Sequence, residues 1–215
     1  IGKVGEDFFG EQLRDAITEV GIDAVGLCTD KDIHTTLAMV HTYPDGDRDF
    51  SFYRNPGADM MLNKEEICEE LIKETKIFHF GTLSMTHEGV REATKEAIRI
   101  AEESGAIISF DPNLRPPLWN SLDEAKEQVL YGLGHCQILK ISDNEIQWLT
   151  GEEDYTAGVN WIRERYQIPL ILVSMGKEGS RAYYNGSIVE VKPFLQKNTI
   201  ETTGAGDTFC GCVLH

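Results

Sequence analysis

The 215-residue sequence has no apolar run long enough to span a bilayer, and no basic, apolar leader opens it. Both absences lead to the expectation of a cytoplasmic protein with no membrane partner. Cysteine is scarce and unpatterned: Cys28, Cys68, Cys136, Cys210 and Cys212 are odd in number, and no two stand as Cys-x-x-Cys. That excludes a disulfide framework and a thiol zinc site, and predicts reduced side chains. Cys210 and Cys212 are expected to be small, buried packing residues of one helix. Positive charge is short as well, with 20 Lys and Arg against 36 Asp and Glu and a formal net charge of −16. Such a surface repels a phosphate backbone, so no nucleic-acid partner is expected. Repeats, low-complexity tracts and flexible linkers are also missing. With 41% hydrophobic and 26% charged residues, the chain reads as one soluble globular domain with a sizeable core.

What is present is an alternation of strands and helices. Phe9, Leu13, Ile17 and Val20 recur at helical spacing before Gly21, predicting an amphipathic helix over about 6–20. A short apolar strand follows at Ala24 to Cys28. Thr35 to Thr42 and Arg48 to Tyr53 then alternate around Tyr43-Pro44-Asp45-Gly46-Asp47, which predicts an inserted β-hairpin over about 34–55. Asn63 caps a predicted helix carrying Ile67, Leu71 and Ile72. Beyond it, strands are predicted at 76–80, 106–110, 137–141 and 170–174. Between them lie helices around Val90 to Ala101, after the capping box Ser121-Leu122-Asp123-Glu124, through Trp148 to Thr150, and around Trp161. This alternation implies a parallel sheet covered on both faces. A second hairpin, Arg181 to Val191 turning at Asn185-Gly186, breaks the rhythm and is expected at the sheet edge.

Toward the C-terminal end, Thr203-Gly204-Ala205-Gly206-Asp207 sets two glycines around an alanine ahead of a predicted helix. Glycines let backbone N–H groups converge, and a helix N-terminus adds partial positive charge, so the bend suits a phosphate. A carboxylate at its lip can take the proton of a hydroxyl attacking a phosphoryl group. From these residues alone, a tight turn with Asp207 capping the helix is the alternative.

Four further segments precede the bend in order: Gly2-Lys3-Val4-Gly5-Glu6-Asp7-Phe8-Phe9-Gly10, Phe52-Tyr53-Arg54-Asn55-Pro56, Asp111-Pro112-Asn113-Leu114-Arg115-Pro116-Pro117-Leu118-Trp119, and Val173-Ser174-Met175-Gly176-Lys177-Glu178-Gly179. Together with the bend they resemble, over the whole chain, the ribokinase-like (PfkB) carbohydrate kinases, most of all the fructokinase branch. The resemblance implies an α/β fold, a ribokinase-like three-layer αβα sandwich with a mostly parallel sheet and a small β lid. It implies a single kinase domain over residues 1–215, truncated at both ends, with lid hairpin about 34–55. The expected missing parts are an N-terminal strand and helix and a C-terminal stretch that helps enclose the adenine.

Site roles follow from the same resemblance. Asp207 is the expected catalytic base, with Gly204, Ala205 and Gly206 forming the anion bend. Arg54, Asn113 and Arg115 are expected on the substrate side, where planar guanidinium groups hold paired oxygens. Lys140, Ser142, Ser174, Gly176 and Gly179 are expected on the nucleotide side. Glu145 is expected to hold Mg²⁺ through water, since Mg²⁺ keeps most of its waters. Taken singly, either Arg reads equally as a surface ion-pair partner and Glu145 as a capping residue. Two departures from the family pattern stand out: Ser142 replaces the usual Asn, and Glu201 replaces the usual Asp near a monovalent-cation site, which leaves K⁺ activation open.

The implied activity is ATP-dependent phosphorylation of a primary sugar hydroxyl, fructose to fructose 6-phosphate. A 2-keto-3-deoxygluconate kinase and a sugar-binding protein without phosphoryl transfer are the alternatives. ATP and Mg²⁺ are the expected cofactors, the sugar and ATP the small-molecule partners, and a homodimer through the lid the expected assembly.

Overall fold

The computed structural model describes residues 1–43, 48–194 and 202–215, so the tip of the first hairpin and Glu201 lie outside the described residues. The chain divides into two compact units, residues 1–75 with 84–104, and residues 76–83 with 105–215.

In the first unit, β1 (Gly2–Gly5) leads into α1 (Phe8–Glu19), and β2 (Leu27–Asp30) returns to pair with β1 in parallel, from Gly2↔Leu27 to Gly5↔Asp30. Asp7 starts α1: its Oδ1 accepts from the Gly10 N–H at 2.9 Å. The same carboxylate accepts from the Thr35 N–H and hydroxyl, each at 2.8 Å, and so also anchors the segment that enters the hairpin. These bonds, the Thr35 N–H foremost, outweigh desolvation and hold the Asp7 carboxyl down at about 2. The half-buried Lys3 reaches Asp30 at 3.1 Å and Glu66 at 2.8 Å. The hairpin is real: β3 (Leu37–Thr42) and β4 (Arg48–Tyr53) pair antiparallel from Leu37↔Tyr53 to Thr42↔Arg48.

The helix expected from Asn63 is broken. Asn63 caps only a 3₁₀ turn over Lys64–Glu66, Ile67 is extended, and α2 (Glu69–Lys73) begins beyond it. Ile67 packs on the cluster of Leu62, Val90 and Ala93, the last two from α3 (Glu88–Ser104), so tertiary packing overrides the helical period here.

The second unit is built on one sheet of six strands: β5 (Ile77–Gly81), β6 (Ile107–Asp111), β7 (Ile138–Ser142), β8 (Leu170–Ser174), β9 (Ser180–Tyr184) and β10 (Ser187–Val191). Their spatial order is β10-β9-β8-β7-β6-β5, with β5 to β8 parallel and the β9–β10 hairpin antiparallel at one edge. The middle strands are nearly continuous apolar runs because both faces are covered; Ile108, Phe110, Leu139, Ile141, Ile171 and Val173 are wholly buried. Helices α4 (Leu122–His135), α5 (Asp143–Thr150) and α6 (Tyr155–Tyr166) connect them, and α7 (Ala205–Leu214) follows. Ser121 caps α4 by accepting from the Glu124 N–H at 3.1 Å. The parallel register sets strand ends side by side, Gly81 against Asp111 and Ser142 against Ser174, which is where ligands bind in open α/β sheets.

Replacing Asp7 by Ala removes a helix cap and the Thr35 anchor, and is expected to lower unfolding free energy by about 1–2 kcal/mol in a urea titration at pH 7. Because the folded carboxyl sits at about 2 against an ordinary 3.8, this contribution is present above about pH 4 and is lost as pH falls toward 2, so wild type and Asp7→Ala converge in acid.

Candidate active site

The bend before α7 is made by backbone. Gly204 holds the N-cap position at φ 76°, a left-handed conformation that strains any side-chain-bearing residue, and no side chain caps the helix. The Ala205 N–H is engaged by the Thr202 carbonyl at 3.1 Å, and the first helical bond runs from the Thr208 N–H to the Gly204 carbonyl at 2.8 Å. By helix geometry, the N–H groups of Gly206 and Asp207 have no intrahelical carbonyl to reach, and they carry the positive end of the helix dipole. Asp207 is exposed in the first turn and is not the cap, so its carboxylate faces solvent at the dipole's positive end.

Beneath this turn lies a buried ion pair. Lys140 Nζ stands 3.0 Å from Asp111 Oδ2, with side chains only 7% and 5% exposed. A Cβ added at Gly206 would lie 3.1 Å from Lys140 Nζ, so the ammonium lies close beneath the bend. Asp111 Oδ1 also accepts from the Asn113 N–H at 3.2 Å, shaping the loop in which Asn113 takes φ 45°. Burial pushes the Asp111 carboxyl up to about 6; Lys140 opposes the rise and the Glu145 charge adds to it.

Glu145 ties that loop to the next strand end. Its Oε1 accepts from the Leu114 N–H at 2.7 Å, while Oε2 accepts from the Ser142 N–H at 2.9 Å and the Ser142 hydroxyl at 2.8 Å. Ser142 and Glu145 form a capping box on α5, and Ser is as good a helix cap as Asn. Among the described residues no group of three His, Cys, Asp or Glu forms a metal cage. Both Glu145 oxygens already accept hydrogen bonds, so the residues fit an outer-sphere, water-mediated hold on Mg²⁺.

The second unit therefore gathers Asp111, Asn113, Lys140, Ser142, Glu145, Gly206 and Asp207 at one end of the sheet. Ser174 stands opposite Ser142 in register, and Gly176 and Gly179, both at positive φ, shape the turn from β8 to β9. Arg115 is half-buried, with Nη1 donating to the Leu114 carbonyl at 3.1 Å. Arg54 belongs to the first unit, where it is buried, its Nε 2.8 Å and Nη2 2.5 Å from Asp59 Oδ2, and its Nη1 2.8 Å from the Thr86 hydroxyl. On β5, His79 Nδ1 lies 3.0 Å from the Ser109 hydroxyl. Crowding by surrounding protein lowers the His79 pKa, the Asp207 charge acts against this, and Lys140 reinforces it.

Cys210 is buried, its thiol pushed up first by burial and then by Asp111. Cys212, expected to be buried with it, is exposed, because residues two apart on a helix cannot share a face. Sequence reasoning missed the buried Asp111 as the partner of Lys140, although the signal was there: a Lys inside Ile138-Leu139-Lys140-Ile141 needs a buried partner. Asp59 and His79 carried no comparable signal.

The whole chain, residues 1–215, matches the pfkB family carbohydrate kinases. Fructokinase-2 of Solanum lycopersicum is 41% identical over 217 residues, covering 100% of this chain and 65% of that protein. Among solved structures, the Xylella fastidiosa fructokinase with bound ATP superimposes with a TM-score of 0.87 at 32% identity, covering 98% of this chain and 65% of that one. The Vibrio cholerae O395 fructokinase bound to fructose, ADP and calcium ion gives a TM-score of 0.87 at 31% identity, covering 100% and 68%. The fold is accordingly ribokinase-like α/β, with a mostly parallel central sheet. This chain belongs to the pfkB family of carbohydrate kinases. It spans 65% of the length of the tomato fructokinase that it matches.

Replacing Lys140 by Met leaves Asp111 buried without its cation, and is expected to cost about 3 kcal/mol of stability at pH 7. Since the folded Asp111 pKa, about 6, exceeds its ordinary 3.8, protonation favours the folded state; that contribution is full below about pH 4 and lost as pH rises through 6. The deficit of Lys140→Met should therefore shrink at pH 5, where Asp111 takes up a proton, as urea titrations at the two pH values would reveal.

Proposed function

We propose that the protein is an ATP-dependent sugar kinase that phosphorylates fructose to fructose 6-phosphate. The observation that carries this reading is the exposed Asp207 carboxylate in the first turn of α7, beside the left-handed Gly204 and above the buried Lys140. In the proposed step the C6 hydroxyl oxygen attacks the γ-phosphorus of ATP, the bond from that phosphorus to the ADP oxygen breaks, and the hydroxyl proton passes to Asp207. The Gly206 and Asp207 N–H groups face the charge that builds on the transferring group, with Gly204 and Ala205 setting the bend. Lys140, Ser142, Ser174, Gly176 and Gly179 serve the nucleotide, while Arg54, Asn113 and Arg115 bind the sugar. Mg²⁺, when bound, neutralises phosphate charge, and Glu145 would hold it through water.

The fructokinase relatives favour fructose over 2-keto-3-deoxygluconate, and the intact Gly204, Gly206 and Asp207 favour a kinase over a sugar-binding protein. Closure of the β3–β4 lid over the sugar would exclude water, whose attack would waste ATP. A homodimer through that lid and a cytoplasmic location belong to the same proposal. The K⁺ requirement turns on Glu201, outside the described residues.

With ADP release followed in a coupled assay, Asp207→Asn is expected to lower kcat by about 10²–10⁴-fold while KM for fructose changes less than about twofold. Turnover comparable to wild type would remove Asp207 as the base. A panel of fructose, ribose, adenosine and 2-keto-3-deoxygluconate tests the acceptor, and fructose should give the highest kcat/KM.

A further inference from the structure

Both legs of the lid end on one carboxylate. The chain enters β3 through Thr36 and leaves β4 through Arg54, and these two residues meet at Asp59. The Thr36 hydroxyl donates to Asp59 Oδ1, while Arg54 reaches Asp59 Oδ2 through Nε at 2.8 Å and Nη2 at 2.5 Å. Arg54 Nη1 then donates to the buried Thr86 hydroxyl at 2.8 Å, fixing the guanidinium plane from a second direction. The Ala58 N–H donates to the His34 carbonyl at 2.9 Å and closes the root of the lid by backbone. The joint is tight: a methyl group at Gly57 would overlap the Thr36 hydroxyl.

We propose that Asp59 is a positioning residue for sugar binding, holding the Arg54 guanidinium in one orientation and joining it to the leg through which the chain enters the lid. This inference rests on the reading of Arg54 as a sugar-side residue. A guanidinium has a rigid planar fork, so its aim is set by whichever carboxylate holds it. Asp59 holds it by two nitrogens on one edge. Because the other Asp59 oxygen holds Thr36, a shift of β3 relative to β4 is felt at Arg54. Asp59 therefore couples the stance of the lid to the aim of its arginine, and small misplacements of a positioning group cost up to about 100-fold in rate or affinity.

The test is a double-mutant cycle in the full-length enzyme, with Asp59→Asn, Arg54→Gln and the pair, each first shown to unfold cooperatively. Asp59→Asn is expected to raise KM for fructose by about tenfold or more, with KM for ATP within about twofold. The pair should be no worse than Arg54→Gln alone, because Asp59 acts through Arg54. Asp59→Glu, which restores the charge, should recover part of the loss, an outcome that damage to the fold alone would not separate by substrate. If Arg54→Gln raises KM for fructose but Asp59→Asn does not, or if their effects simply multiply, the positioning role is refuted while the sugar-side reading of Arg54 stands. If Arg54→Gln leaves KM for fructose unchanged, that reading itself fails and this inference with it. Should Asp59→Asn not fold, Thr36→Val removes only the hydroxyl contact; a threefold or larger rise in KM for fructose supports the coupling, and no rise overturns it.

Discussion

Everything at the sheet's carboxyl end depends on the ion pair between Lys140 and Asp111. Two charges removed from water are costly unless each is paired and hydrogen-bonded, and this pair meets both conditions: Asp111 receives the ammonium on one oxygen and the Asn113 N–H on the other. The carboxylate thereby shapes the loop that carries Asn113, Leu114 and Arg115. On the other side, the ammonium lies beneath the first turn of α7, where a Cβ added at Gly206 would come within 3.1 Å of it. This single buried contact thus shapes one loop on which the proposed phosphoryl transfer relies and lies beside the other. Being poorly hydrated, it also acts on the bend with more force than a surface lysine could.

The same device recurs through the chain, and it gives the acidic composition a structural use. Asp7 caps α1 and anchors Thr35; Asp59 joins Thr36 to Arg54; Asp111 joins Asn113 to Lys140; Glu145 caps α5 and holds Leu114. In each case one carboxylate uses its two oxygens to hold two or more groups at once, which suits a group with two acceptor atoms and no donor when ionised. The ties to the Gly10, Thr35, Asn113, Leu114 and Ser142 N–H groups end on backbone and are therefore short-ranged and little affected by salt. The surface remainder, such as the Arg99 pairs with Glu96 and Glu103 on α3, contributes far less.

Much of the architecture was legible because strands buried on both faces leave an unmistakable apolar run. Ile138-Leu139-Lys140-Ile141 and Leu170-Ile171-Leu172-Val173 each became a sheet strand within one residue of expectation, and the Asn185-Gly186 turn closed the edge hairpin. Local signals failed where distant packing decided the outcome. The helix expected from Asn63 stops at Ile67 because its side chain is needed in the Leu62–Val90–Ala93 cluster, contacts that no short window contains. The site was half legible: glycines and chain-end motifs marked the bend and the loops, and the stray Lys140 implied a partner. Asp59 was invisible, since nothing in Pro56-Gly57-Ala58-Asp59 says that two segments converge on it.

The left-handed Gly204 has an evolutionary corollary. In the proposed anion hollow main-chain amides supply the donors, so no particular functional group is needed there, but the left-handed Gly204 has to stay a glycine. On the roles proposed above, divergence toward a new acceptor would proceed through the side chains of Arg54, Asn113 and Arg115, which lie outside that backbone-built turn.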